Sequence, residues 1–62
     1  MNTTELARAG VRWHRAKEQE RRAMAVLRAL IVEAVADGMT EVEAAKVAGV
    51  DRMTVRRALG KL

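Results

Sequence analysis

The sequence predicts an all-α fold in which a long N-terminal helix is followed by two short helices, and the three close a compact head. Three observations carry this expectation. Half of the 62 residues are hydrophobic, alanine, valine, leucine and methionine supply almost all of them, Trp13 is the one aromatic, and there is no proline; that is a helix-forming vocabulary. No strong helix breaker interrupts the chain before the Asp37-Gly38 pair. After Gly38 the pattern changes to two short helical signals divided by Gly49.

Asn2, Thr3 and Thr4 offer N-cap side chains ahead of the long helix. Over residues 4–37 it would extend about 50 Å at about 1.5 Å per residue, longer than so small a globule is wide, so part of it has no partner within the chain. Gly10 lies inside it, but glycine in a helix costs only about 1 kcal/mol relative to alanine and does not end it. Met24, Leu27, Leu30, Ile31, Ala34 and Val35 recur at spacings of three and four, the wide apolar stripe of a helix packed on a small domain. Leu6, Ala9, Trp13 and Ala16 keep the spacing in a narrower seam, followed by the polar run from Lys17 to Arg22. A seam of that width suits contact with another helix. Glu18 and Arg22 form a favourable i,i+4 pair, and His14 reads as a solvated helix residue.

The chain therefore divides into residues 1–22, a helical extension acting as a dimerisation arm, and residues 23–62, the head. A domain this small buries only about 60% of the surface its unfolded chain exposes and needs reinforcement. Without cysteine and with a single histidine, neither a disulfide nor a zinc site supplies it, which leaves oligomerisation. Leu6 and Trp13 are the expected dimer-interface residues, since tryptophan is enriched in interface hot spots. Antiparallel pairing is expected, because it holds two heads apart along a rod.

The apolar run Met24 to Ala36 is interrupted by Arg28 and Glu33, too short and too charged for a span that needs about 20 apolar residues. The N-terminus lacks the order of a signal peptide. The expectation is a cytoplasmic protein with no membrane contact, no metal, no cofactor and no small-molecule effector. There is no glycine-rich phosphate loop, cysteine nucleophile or metal-ligand set, so an enzyme is not expected.

After Gly38, Thr40 is a good N-cap and Glu43, three residues on, completes a capping box; Val42, Ala44, Ala45, Val47 and Ala48 fill the helix that follows. Gly49 ends it, Asp51 caps the next helix, and Arg52 to Leu59 continue with Val55, Ala58 and Leu59 inward. This is helix-turn-helix spacing: Ala45 is small where the helices approach, Gly49 lies in the turn, and Val50 and Val55 plug the space between them. Residues 1–51 hold eight Lys or Arg against eight Asp or Glu, whereas residues 52–62 hold four basic groups and no acid, so the net +4 sits entirely at this end. A local cationic surface of this kind attracts polyanions, nucleic acid first among them.

The segment "AAKVAGVDRMTVRRALGKL" resembles the helix-turn-helix of GntR-class bacterial transcription regulators, the likeness covering residues 40–62. In that family the residues aligned with Arg52 and Arg56 reach bases and the one aligned with Thr54 holds phosphate. The chain departs from the pattern in reaching Leu62 where a β-hairpin wing would begin, in having no effector domain, and in placing Asp51 where serine or threonine is usual. The resemblance implies a minimal helix-turn-helix protein with similar contact chemistry.

The chemistry also stands without the family. Arginine's planar fork donates two hydrogen bonds to O6 and N7 of guanine in the major groove. Arg52 and Arg56, four apart on one face, are expected to read bases, with Met53 touching a thymine methyl. Arg57 and Lys61 form a neighbouring stripe suited to phosphates, joined by the hydroxyls of Thr40 and Thr54; Thr54 can equally bond its own helix. The expected function is sequence-specific binding of double-stranded DNA by a homodimer, as a repressor or a regulatory factor of a phage or mobile element. The alternative is a protein-interaction module, an antitoxin or adaptor, whose long helix binds a partner protein.

Overall fold

The computed structural model describes residues 3–61, so Asn2, expected among the N-cap residues, lies outside them. Three helices follow one another: α1 (Thr3–Ala36), α2 (Glu41–Ala48) and α3 (Arg52–Ala58). Among the described residues all regular structure is helical. α1 passes through Gly10 without a break, and a Cβ there would meet nothing within 4 Å. It ends at the Asp37-Gly38 pair, where backbone N–H groups close its last carbonyls: Asp37 donates to Glu33, Gly38 to Val35 and Met39 to Ala34, at 3.0, 3.0 and 3.1 Å.

The connection between α2 and α3 is short because one residue reverses it. Gly49 takes φ 71° and ψ 33°, a left-handed conformation that a residue with a Cβ adopts at a cost. Its N–H donates to the Ala45 carbonyl, and so does that of Val50, at 3.1 Å. Asp51 then opens α3, its Oδ1 accepting from the Thr54 N–H at 2.7 Å.

Each helix packs on the other two, and they meet on a small core of Ile31, Ala44, Ala45 and Val55. Val55 has no exposed surface. Adjacent alanines in the middle of α2, Ala44 and Ala45, allow the close approach that seals it. Leu27, Val35, Met39, Val50, Ala58 and Leu59 surround this core, half-buried.

The expectation of compactness is corrected by the dimensions. The molecule measures 54 × 21 × 16 Å with a radius of gyration of 16.6 Å, against about 11 Å for a compact chain of this length. The reason is α1: among the described residues none of its positions before Leu27 belongs to the core or packs against it. The apolar stripe is also covered less widely than expected. With eight residues in α2 and seven in α3, these helices are only about 12 and 11 Å long, and Leu30, Val42 and Val47 remain exposed, Val47 at 77%. Among the described residues no helix is long and apolar enough to cross a membrane.

Candidate functional site

The basic residues of the C-terminal end are arranged by α3 and the turn after it. At about 100° per residue, Val55, Ala58 and Leu59 share the inward side of α3 and Met53 and Arg57 the opposite one, leaving Arg52 and Arg56 on a flank. That flank meets the first residue of α2. The Glu41 side chain, 16% exposed, lies beneath three cations: Oε1 is 3.4 Å from Arg56 Nη1 and 3.7 Å from Arg52 Nε, and Oε2 is 2.7 Å from Lys61 Nζ.

Lys61 reaches Glu41 because the chain turns back after α3. Gly60, at φ 71°, donates its N–H to the Arg57 carbonyl, and Lys61 donates to that of Arg56 at 2.9 Å. Arg56 completes the closure, its Nη2 donating to the Lys61 carbonyl at 3.3 Å. Both terminal nitrogens of Arg56 are thus engaged within the chain and its side chain is 38% exposed, whereas Arg52 uses only Nε and is 62% exposed. The Lys61 hydrogen bond holds the Glu41 carboxyl below its ordinary 4.5, and the charges of Lys61, Arg56 and Arg52 add to this against a smaller pull from burial.

Met53 and Arg57 are exposed on the outer side of α3. The Asp51 carboxyl is also lowered, from an ordinary 3.8, first by the Thr54 hydroxyl, then by the Thr54 N–H, with the Arg57 charge contributing. The Thr40 hydroxyl is committed: it accepts from the Glu43 N–H and donates to Glu43 Oε1, both at 3.1 Å. The arrangement brings Arg52, Arg56 and Lys61 together, sets Met53 and Arg57 beside them, and keeps the Thr40 hydroxyl within its cap.

Leu6 and Trp13 lie on the other half of the molecule, before α1 reaches the core. Trp13 is 55% exposed, with the His14 ring edge-on at 4.9 Å and Lys17 Nζ 4.7 Å from its centroid. Glu18 holds both Arg22, at 3.2 Å, and Arg21, at 3.4 Å. An open apolar groove of about 230 Å³ runs between α1 and α2, lined by Leu27, Leu30, Ile31, Val47 and Ala48 among others.

Glu41 is the residue that sequence reasoning missed. Its partners lie 11, 15 and 20 positions away, beyond any helical period, and the neighbouring Glu43 already accounts for a carboxylate in that turn as a capping residue. The only sequence signal is an acid at the start of one short helix and an excess of cations in the next. Comparison of the chain with protein-family models, curated proteins and solved structures finds no match.

Proposed function

We propose that the chain is a cytoplasmic, sequence-specific double-stranded DNA-binding protein that acts as a homodimer and inserts α3 into the major groove. The observation that carries the reading is α3 itself, with Met53 and Arg57 on its outer side and Arg52 and Arg56 on the adjoining flank, joined to α2 through the left-handed Gly49. In this reading α2 and α3 are a helix-turn-helix like that of the GntR-class regulators, residues 23–62 are the DNA-binding head, and residues 1–22 are the arm. The chain binds and does not catalyse, and it serves as a repressor or a phage or mobile-element regulatory factor.

Arg52 is the leading base reader, since its contact with Glu41 spends Nε and not the terminal pair that grips a guanine. Met53 stands beside it. Arg56 reads a base only by releasing Glu41 and the Lys61 carbonyl. Arg57 supplies a phosphate contact, Lys61 adds one only by leaving Glu41, and Thr40 joins them only at the expense of its cap, with Thr54 offering its hydroxyl. Selection from random duplexes of about 20 base pairs, two half-sites long, tests the reading at near-physiological salt. A recovered symmetric motif supports it, and affinity that is weak and indifferent to sequence would sink it. Arg52→Ala should then cost about 1–3 kcal/mol of specific binding and relax preference at one base pair.

The apolar groove between α1 and α2, with Leu30 and Val47 exposed at its edge, favours a second reading as a protein-interaction module. Such an adaptor would lack the strongly salt-dependent duplex binding of a DNA-binding protein.

A further inference from the structure

We propose that Glu41 is a positioning residue for DNA selectivity: it restrains Arg56 and Lys61 against the protein and leaves the fork of Arg52 outward, so discrimination depends on a carboxylate that touches no DNA. This rests on the DNA-binding reading above. The contacts are graded. Lys61 is held at 2.7 Å, Arg56 at 3.4 Å with its second nitrogen on a carbonyl, and Arg52 at 3.7 Å through Nε alone. The grading runs opposite to exposure for the arginines, so the one that protrudes further is the one held less.

Beyond tying α2 to α3 and to the turn after it, this carboxylate has no role in the core or the helix cap. The core contains no charged side chain, and the cap of α2 is made by Thr40 and Glu43. A helix start favours an acid, but Glu43 in the same turn meets that preference without an ion pair to α3. Long cations released from Glu41 would pair with phosphates of any sequence, and such contacts supply non-specific affinity. A carboxylate that neutralises one charge and restrains two cations lowers affinity for wrong sites more than for the right one.

The test uses the full chain, a duplex selected by the wild type, and a scrambled duplex of the same composition. Glu41→Gln should bind the scrambled duplex more tightly, with a salt slope steeper by about one for each cation freed. Its preference for the selected duplex should fall by at least about fivefold, within the range that a misplaced bidentate contact implies. A merely structural role would weaken binding to both duplexes alike. Glu43→Gln makes the same change in net charge on the opposite side of α2 and should keep the wild-type ratio and slope; equal behaviour of the two variants would overturn the proposal. Glu41→Asp retains the charge but shortens the reach, so it should lose selectivity without a change in net charge, and it serves if Glu41→Gln does not fold. Full discrimination in both Glu41 variants overturns the proposal while leaving DNA binding intact. If the wild type selects no duplex, the DNA-binding reading fails and this one falls with it.

Discussion

At the scale of the residue, two side chains concentrate the consequences of so small a core. Ile31 is the point where α2 and α3 close on α1, and its neighbours Ala44, Ala45 and Val55 are buried with it. Alanines have no side chain with which to fill a gap, so Ile31→Ala should destabilise the fold by about 2–5 kcal/mol, read from denaturant midpoints. An unchanged midpoint would mean that the helices are not held at this junction. Glu41 makes a prediction about pH. Its folded-state carboxyl lies below the ordinary 4.5, as that of Asp51 lies below 3.8. A depressed value means stability that is fully present above the ordinary value and lost as pH falls through the lowered one. Melting temperature should therefore drop on acidification between about pH 5 and pH 2, and less steeply in Glu41→Gln, whose side chain has no proton to take up. A variant with the same acid slope as the wild type would remove Glu41 from the account.

At the scale of the element, α2 and α3 are too short to be stable helices alone, and their ends carry much of what defines them. Thr40 and Asp51 both adopt extended backbone and accept an N–H three residues on, so Thr40→Ala should cost about 1 kcal/mol. Gly49 differs in kind. A Cβ there meets nothing within 4 Å, so Gly49→Ala isolates the left-handed backbone itself and should cost about 1–2 kcal/mol in a thermal melt with the helix content retained. If that variant were as stable as the wild type, the turn would have an alternative conformation. α1 is the reverse case, a helix whose length exceeds what α2 and α3 can cover. Its interruption-free vocabulary keeps it regular through Gly10, while its first half leaves Leu6 and Trp13 exposed.

At the scale of the whole molecule, the proposed dimer turns that excess length into spacing. Leu6, Ala9, Trp13 and Ala16 recur at steps of three and four along the first half of α1, the seam of a two-helix contact. Two-fold pairing would present two copies of α3, to meet successive major grooves about 34 Å apart. Trp13→Ala should dissociate the dimer, since truncating a buried tryptophan costs about 3–5 kcal/mol, and should weaken DNA binding without altering the face of α3. Sedimentation decides it, and a wild-type monomer at tens of micromolar (about the range of weak self-association) would end this model.

The sequence by itself determined those features whose causes are local. Helix identity follows from composition and spacing, the end of α1 from Asp37-Gly38, the caps from Thr40 and Asp51, and the reversal from Gly49, because each depends on atoms within about one helical turn. The cationic character of the last residues was equally legible, being a count of side chains. Only the tertiary structure decided how those cations are held. Glu41 meets Arg52, Arg56 and Lys61 only after α2 and α3 have crossed and Gly60 has turned the chain back, and no periodicity encodes a contact across 20 residues. It likewise decided that Val47 and Leu30 stay exposed while Ile31 is buried: apolar spacing marks a face, but the width of that face which is covered depends on the length of the helices laid across it.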